Sequence, residues 1–204
     1  MDCDKCRGTG AIINADKTVS QCICVRRGYI IKELSKKTKG DILFKNPSDL
    51  VSFEPISFIA TDLNTFKDYL AGYLLYKSKT TFKIMGISEY FSYRMDNSDN
   101  LELLKPDLLI LNFASIFFNK AAPLFIMQIC DERAEMDKKT WLVSGLSRGD
   151  LEVGFKESKD VFSSFLDRIA LKTYNRKKKS FGNGRNIFAT SVSEVTKGTW
   201  KDSI

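Results

Sequence analysis

The chain has 204 residues, 43% of them hydrophobic, which is enough for one medium-sized domain with a small appendage. Its 32 Lys and Arg residues against 25 Asp and Glu residues give a formal net charge of +7, and this excess favours an anionic partner such as nucleic acid. The chain contains no histidine, which excludes Ser-His and Cys-His nucleophiles and removes the commonest acid–base side chain.

The sequence shows no sign of a membrane or secretory segment. Charged residues at the N-terminus are not followed by the apolar run that a signal sequence needs. The longest apolar stretch, residues 108–118, is too short to cross a bilayer and is interrupted by Asn112. We therefore expect a cytoplasmic protein with no membrane partner, in a compartment where thiols stay reduced.

Four of the five cysteines lie within 22 residues, in two close pairs separated by 15 residues. Such spacing lets four thiolates converge on one tetrahedral zinc ion, and Gly8 and Gly10 allow the tight turn after the first pair. Two disulfides or four unrelated thiols are the alternative, which we disfavour because Cys-x-Cys pairs rarely close on each other. A closed four-thiolate site has no open position for water, so we predict a structural role for the zinc. The predicted ligands are Cys3, Cys6, Cys22 and Cys24.

The cysteine pairs are followed by a basic segment, and together they form a predicted first unit, residues 1–45, a zinc-binding module with a basic linker. The linker residues are candidate contacts for nucleic acid or a protein partner, the alternative being a solvated charged surface. These candidates are Arg26, Arg27, Lys32, Lys36 and Lys37. A turn-forming Asn-Pro-Ser-Asp sequence at residues 46–49 marks the end of this unit.

The second predicted unit, residues 46–186, alternates between strand and helix patterns, which indicates an α/β fold with a parallel sheet. Predicted strands cover residues 56–60, 80–85, 107–112 and 140–144; predicted helices cover residues 65–77, 88–93, 121–137 and 158–172, with a loop before the last helix. Residues 187–204 are predicted to be an exposed or partly disordered tail. A second basic run precedes that tail and is a further candidate contact surface, comprising Arg176, Lys177, Lys178 and Lys179.

Several stretches of the second unit, taken in order, resemble the DnaC/IstB-type family of bacterial helicase loaders. They are the strand segment from Asp107, the helix ending at residues 128–133, the segment 139–147 and the segment 165–169. The N-terminal cysteine pattern resembles the same family. The resemblance implies an AAA+ domain, with P-loop-like architecture, that binds the replicative DNA helicase and helps to place it on single-stranded DNA.

The phosphate-binding loop that the resemblance implies is degraded. Such a loop needs glycines around the phosphates, a lysine for the β- and γ-phosphates, and a hydroxyl for magnesium. In the matching segment 61–68 only Lys67 remains; Thr61 and Phe66 stand in place of the glycines, and Asp68 replaces the hydroxyl. Acidic residues here would also repel a triphosphate.

The other positions of the implied nucleotide site have also changed. Asn112 and Phe113 stand where an acidic pair should hold magnesium and orient water. Gly145 and Ser164 stand at the positions of the polar sensor and the arginine finger, and only Arg168 matches the family, at its second sensor. We therefore expect a catalytically inactive AAA+ relative that is not an enzyme and for which ATP is an unlikely cofactor. Lys67 and Arg168 are either nucleotide contacts or, as we favour, an ordinary surface lysine and a helix arginine paired with a carboxylate.

These features lead to a first hypothesis, that of a replication protein, encoded by a phage or mobile element, that binds a replicative DNA helicase or its loader. It would act as loader, adaptor or inhibitor. The alternative is a zinc-containing protein that binds single-stranded nucleic acid, or a transcription regulator, using the basic runs and exposed aromatic residues. A third hypothesis is a non-catalytic subunit of an active ATPase ring, against which the missing arginine finger argues. The sequence leaves the oligomeric state and the partner's identity open.

Overall fold

The structure, a computed structural model, describes residues 3–47, 50, 55–96, 101–114, 122–155, 159–168 and 170–172. The predicted basic run at residues 176–179 and the predicted tail lie outside the described residues. Among the described helices, none has both the length and the apolar character needed to cross a membrane.

The N-terminal residues form a β-hairpin followed by a helix. Strands β1 (Ala11–Ile13) and β2 (Val19–Gln21) pair antiparallel, with Ile13 opposite Val19. The turn between them is closed by a hydrogen bond from the Asn14 backbone N–H to the Thr18 carbonyl. Helix α1 (Ile23–Ser35) follows at once. Strands of three residues are too short to show an alternating pattern, and neither the hairpin nor α1 is among the predicted elements.

The second part of the chain forms a five-stranded parallel sheet with the order β4-β5-β6-β3-β7, which confirms the predicted α/β class. Its strands are β3 (Ile56–Ile59), β4 (Phe82–Gly86), β5 (Leu108–Phe113), β6 (Lys139–Ser144) and β7 (Ala170–Lys172). Its helices are α2 (Leu63–Tyr76), α3 (Ile87–Asp96), α4 (Leu101–Leu104), α5 (Ala122–Glu135), α6 (Arg148–Phe155) and α7 (Lys159–Arg168).

Two predictions for the C-terminal half were wrong. A helix, α6, occupies residues for which a loop is predicted. The helix predicted over residues 158–172 ends at Arg168, and Ala170–Lys172 instead forms β7, with Ala170 opposite Ser57 of β3. The amphipathic pattern is not interrupted at this point, and the change to a strand follows from pairing with β3, a contact more than 100 residues away in sequence.

The core lies on both faces of the sheet, because neighbouring residues of a strand point to opposite sides. On one face, residues such as Leu109, Leu111 and Leu142 pack against α3, α5 and α7. On the other face, Ile110 and Trp141 pack against α1 and α2, together with the buried residues Ile30 and Leu34 of α1. Helix α1 thus joins the N-terminal hairpin to the core of the sheet domain.

A buried arginine fixes the connection between α5 and β6. The Arg133 guanidinium is fully buried and donates to Thr140 Oγ1 at 3.0 Å and to the backbone carbonyls of Leu103 and Lys139 at 2.6 and 2.7 Å. Burial lowers the pKa of Arg133 to about 10, so the group still carries its charge at neutral pH. The oxygens of these partners compensate for the water that the charge has lost.

Residues 38–47, which we call the strap, run from the end of α1 across the outer surface of α2. The Lys39 N–H donates to Asn64 Oδ1 at 2.8 Å, and the Leu43 N–H donates to Asp68 Oδ1 at 3.0 Å. Further along, the Lys45 carbonyl lies so close to α2 that a Cβ on Gly72 would be 1.7 Å from its oxygen. Asn64, Asp68 and Gly72 are spaced by one helical turn, so they form one line along α2 under the strap.

Replacing Gly72 by alanine tests this close approach. We expect Gly72→Ala to lower the free energy of unfolding by about 1–3 kcal/mol, because the new methyl group must displace the strap backbone. Urea unfolding followed by circular dichroism measures the change. Gly86→Ala is the matched control, since its Cβ would meet nothing within 4 Å and should change stability by less than about 0.5 kcal/mol. Equal effects of the two substitutions would contradict the packing of the strap on Gly72.

Candidate metal centre and the carboxyl edge of the sheet

The four predicted cysteine ligands converge at one place. Their Sγ atoms all lie within 4.8 Å of one another, with 3.7 Å between Cys3 and Cys22 and 3.4 Å between Cys6 and Cys24. Zinc–sulfur bonds of ~2.3 Å in a tetrahedron place the sulfurs about 3.8 Å apart, so the cluster has the size of a four-thiolate metal site. The cluster can therefore bind a metal ion, and thiolates select soft or borderline metals such as zinc.

The first pair is held by a tight turn. The Cys6 and Arg7 N–H groups both donate to the Cys3 carbonyl, at 3.2 and 2.7 Å. Arg7 and Gly8 then adopt left-handed conformations with φ of 48° and 81°, which turn the chain away from the sulfurs. Gly10, with φ of 76°, is needed for the same reason, and a Cβ there would lie 2.9 Å from Val25 Cγ2.

The second pair lies at the N-terminus of α1. Cys22 is the N-cap residue but makes no side-chain cap bond, and the first turn contains no acidic residue. Thiolates at Cys22 and Cys24 are therefore the negative groups that the positive end of the helix can stabilise. Cys22 is fully buried and Cys6 is nearly so, whereas Cys3 and Cys24 are partly exposed.

Without a metal, the thiols of Cys6 and Cys24 have very different pKa values. Desolvation raises the pKa of Cys6, but the hydrogen bond at Gly10 and those with the other three thiols outweigh it and lower the pKa to about 7. The hydrogen bond to Cys6 raises the pKa of Cys24 to about 12, so at neutral pH Cys24 keeps its proton while Cys6 is about half deprotonated. Of these two ligands, Cys6 more readily takes the thiolate form that binds a metal.

At the carboxyl edge of the sheet, α2 begins only three residues after β3. Its N-cap is Asp62, whose Oδ1 accepts from the Thr65 N–H at 3.0 Å and whose Oδ2 accepts from Thr65 Oγ1 at 2.6 Å. Partial burial raises the pKa of Asp62, but these hydrogen bonds outweigh that effect and lower it below the usual range. The segment predicted to match a phosphate-binding loop is consequently helical from Leu63, and a carboxylate lies at the helix end where an anion would bind.

The cleft beside Asp62 is narrow. A Cβ on Gly145, just after β6, would lie 3.1 Å from Asp62 Cβ and 3.3 Å from its backbone nitrogen. The neighbouring strand ends are also tied together, because Ser144 Oγ donates to the Phe113 carbonyl at 3.4 Å and accepts from the Leu146 N–H at 3.1 Å. In open α/β sheets, ligands bind beyond the carboxyl ends of the strands, at the point where two neighbouring strands send their following connections in opposite directions. In this sheet, β3 and β6 are such a pair. At that position here, Gly145 and Asp62 pack against each other.

Lys67 and Asp68, the two predicted nucleotide-site residues on α2, both hold the strap. Lys67 is 8% exposed, and its Nζ donates to the Lys39 carbonyl. Besides accepting from Leu43, Asp68 pairs through Oδ2 with Lys45 Nζ at 3.2 Å. Lys67 is thus a buried lysine bound to the strap and not a surface lysine.

The remaining predicted nucleotide-site residues do not lie at one edge of the sheet, because Asn112 and Phe113 end β5 at the carboxyl edge, whereas Arg168 lies two residues before the start of β7, at the amino edge. Asn112 is half-buried in β5, opposite Gly86 and Val143, while Phe113 packs into the core. Arg168 is the last residue of α7. Ser164, at the position expected for an arginine finger, is exposed on the same helix.

The predicted basic contact residues have different surroundings. The Arg26 guanidinium donates to the Leu74 carbonyl at 3.3 Å and to the Thr80 carbonyl at 2.5 Å, so it attaches α1 to the end of α2. Arg27 lies over the Phe44 ring at 4.6 Å, which holds the strap. Lys36 pairs with Glu33 at 2.6 Å and Lys37 with Glu89 at 2.5 Å, whereas Lys32 is exposed. The Arg26 guanidinium is therefore already occupied by hydrogen bonds within the protein.

Two roles at this edge were not predicted. One is the helix cap formed by Asp62, for which only the repulsion of a triphosphate is expected from the sequence, and the other is the contact of Asn64 with the strap. Asp62 carries a recognisable signal, since an aspartate three residues before a threonine is a common helix start. The role of Asn64 depends on the strap, which is distant in sequence, and no local pattern indicates it.

No family model matches the sequence, and no curated protein matches it either. Among solved structures, the chain is similar to the replication initiator DnaA bound to AMPPCP and single-stranded DNA, with 16% identity, a TM-score of 0.47 and 74% of this chain covered. It is also similar to DnaI (14% identity, TM-score 0.45, covering 74% of this chain and 93% of DnaI). A third likeness is to the DnaC helicase loader (17% identity, TM-score 0.41, covering 63% of this chain and 85% of the loader). The match spans only 46% of the DnaA chain.

Metal content tests the cysteine cluster directly. We expect the purified chain to carry about one zinc ion, because four thiolates fill a tetrahedral zinc site. Elemental analysis measures the metal, and a chelator should lower the melting temperature as the ion is removed. Cys6→Ser should abolish stoichiometric zinc binding, whereas Cys130→Ala, outside the cluster, should retain it. Full zinc content in Cys6→Ser would contradict the assignment.

Lys67→Met tests whether this lysine holds the strap. Losing the donor leaves the Lys39 carbonyl without its partner, and we expect a loss of about 1–2 kcal/mol in the free energy of unfolding. Limited trypsin digestion should also cut faster within residues 38–47, as seen by mass spectrometry. Lys32→Met, on the exposed part of α1, should change neither quantity. Unchanged stability and digestion of Lys67→Met would refute a strap-holding role.

Proposed function

We propose that this protein is a helicase-loader-like replication protein that acts by binding a replicative DNA helicase and does not hydrolyse ATP. The observation that carries the proposal is the position of Asp62. Its carboxylate caps α2, and Gly145 packs against it, at the strand ends where a nucleotide would have to bind. The link to a helicase rests on the sequence resemblance to helicase loaders.

Nucleotide binding would require several changes at once. A triphosphate at the N-terminus of α2 would meet the Asp62 carboxylate, and like charges repel strongly where water is partly excluded. Lys67 would have to release the Lys39 carbonyl before it could reach a phosphate. At the magnesium position, Asn112 offers no carboxylate and Phe113 is buried in the core. These costs support a protein that has kept an α/β scaffold for binding alone.

The four-cysteine module gives this scaffold a surface for a protein partner. We propose that a structural zinc fixes the module, and that the hairpin makes the contact. Ile13 and Val19, opposite each other on β1 and β2, are 77% and 70% exposed, and Ile23 at the start of α1 is 50% exposed. Adjacent exposed apolar side chains on a small rigid module are typical of interaction sites.

Direct binding of single-stranded nucleic acid is the second candidate function. The net charge of +7 favours it. Among the described basic residues, however, Arg26 is bound to backbone carbonyls, while Lys36, Lys37 and Lys105 are paired with glutamates. Among the described residues, fewer basic side chains are therefore available to bind phosphates than the net charge of the sequence suggests.

Co-purification with the replicative helicase of the protein's own host tests the proposal. We expect the zinc-loaded chain to bind the helicase with a Kd that changes little between low and moderate salt, because the contact is apolar. Ile13→Asp with Val19→Asp should weaken binding at least about tenfold, a cost of about 1.4 kcal/mol. Val153→Asp, an exposed valine on α6, is the matched control.

A second pair of measurements tests whether the protein binds and hydrolyses ATP. Isothermal titration with MgATP should show no binding, and phosphate release should stay at the background rate with and without helicase. Measurable hydrolysis would refute the inactive site. Binding to oligothymidylate that weakens steeply with salt, with no helicase binding, would favour the nucleic-acid function instead.

A further inference from the structure

A groove runs along the free edge of the sheet, and no residue of the cysteine cluster lines it. Strand β4 is the last strand of the sheet, and among the described residues it pairs only with β5. The groove has a volume of about 490 Å³. Residues of α1, including Tyr29 and Glu33, form one rim, and Glu102 and Lys105, at the end of α4, form the other.

The backbone of β4 presents hydrogen-bonding groups to this groove. The Thr81 carbonyl accepts from the Leu108 N–H at 3.0 Å, so Thr81 faces β5. Because successive residues of a strand turn their polar groups to opposite edges, Phe82, Ile84 and Gly86 face the groove. The Gly86 N–H donates to Glu89 Oε2 at 3.3 Å, which leaves the N–H and carbonyl groups of Phe82 and Ile84 directed outward.

The charges around the groove do not cancel. Three lysine–glutamate pairs join Lys36 to Glu33, Lys37 to Glu89 and Lys105 to Glu102. The fourth lysine, Lys83, makes no ion pair with any described carboxylate within 4.0 Å, and its Nζ lies 5.3 Å from the centre of the Tyr93 ring. A lysine on an edge strand often prevents another strand from pairing with that edge. Here the Lys83 side chain lies on the Tyr93 ring, over the face of the sheet and not beside its edge. Within the described residues no further strand covers this edge, and the four lysines that line the groove exceed its three glutamates by one positive charge, although Glu102, whose pKa is lowered chiefly by Lys105, is also acted on by Lys83.

We propose that this groove binds one extended, acidic segment of a partner protein, which adds to β4 as a sixth strand. The outward N–H and carbonyl groups of β4 repeat at the spacing of a strand, so only an extended peptide can form hydrogen bonds with all of them. We expect the bound segment to be acidic because the positive charge of Lys83 would attract a carboxylate. Five strand residues span roughly 17 Å, the length of β4 itself.

A second copy of this chain fits the groove less well than a single segment. Each copy would bring its own α1 and α4 rims to the shared edge, and the two sets of rims would collide. A nucleic acid would satisfy Lys83 but would leave the outward N–H groups of a strand without regularly spaced acceptors. The proposal is independent of the helicase interaction, which involves the hairpin and not β4.

Selection from a displayed library of random peptides on the full zinc-loaded chain tests the proposal. We expect the enriched peptides to alternate apolar and acidic residues. The synthetic form of the most enriched peptide should shift the NMR amide signals of Phe82 and Ile84 in the labelled full chain. Lys83→Glu should weaken its binding at least about tenfold, and Lys83→Arg should retain it.

Lys79→Glu is the matched control, because Lys79 is exposed just before β4 and is not among the residues lining the groove. It should bind the peptide like the unchanged chain, and both variants should show the same melting temperature and far-ultraviolet spectrum. Absence of enriched peptides, equal binding to Lys83→Glu, or amide shifts confined to other residues would each overturn the proposal. So would displacement of the peptide from β4 by oligothymidylate, which would assign the groove to nucleic acid.

Discussion

The carboxylate of Asp62 fixes where α2 begins, and much of the structure depends on that start. Its hydrogen bonds to Thr65 begin the helix three residues after β3, so the chain has no room for a wide loop. The helix then turns Asn64 and Asp68 toward the strap and Lys67 toward the Lys39 carbonyl. One capping interaction thereby closes the end of the sheet and also provides the surface on which residues 38–47 lie.

Helix α1 couples the metal module to the sheet domain. Its first turn carries Cys22 and Cys24, its middle is attached to the end of α2 by Arg26, and its second half places Ile30 and Leu34 in the core. A continuous helix transmits orientation over its whole length, about 20 Å for 13 residues. The hairpin is thus held at a defined angle to the sheet, which a flexible linker of the same composition would not achieve.

Sequence patterns predicted the parts of this fold that are locally determined. Buried strands such as β5 appear as continuous apolar runs, and four closely spaced cysteines indicate one cluster regardless of what surrounds them. The missed features depend on contacts between distant residues. Strand β7 exists because Ala170 pairs with Ser57, and Lys67 is buried because the strap supplies its acceptor. Arg26 looked like surface charge because nothing local shows that the carbonyls of Leu74 and Thr80 lie beside it.

The exposure of the β1–β2 hairpin has a consequence for how the molecule unfolds. Every residue of these two strands is exposed or half-buried, so the hairpin contributes almost nothing to either hydrophobic cluster. Its attachment to the rest of the chain depends on the cysteine cluster and on the Cys22 N–H, which donates to the Gly10 carbonyl at 2.8 Å. We therefore expect the hairpin to open as a separate cooperative unit, at a free energy that would depend on whether a metal occupies the cysteine cluster, while α1 and the sheet unfold together at a free energy set by their own packing.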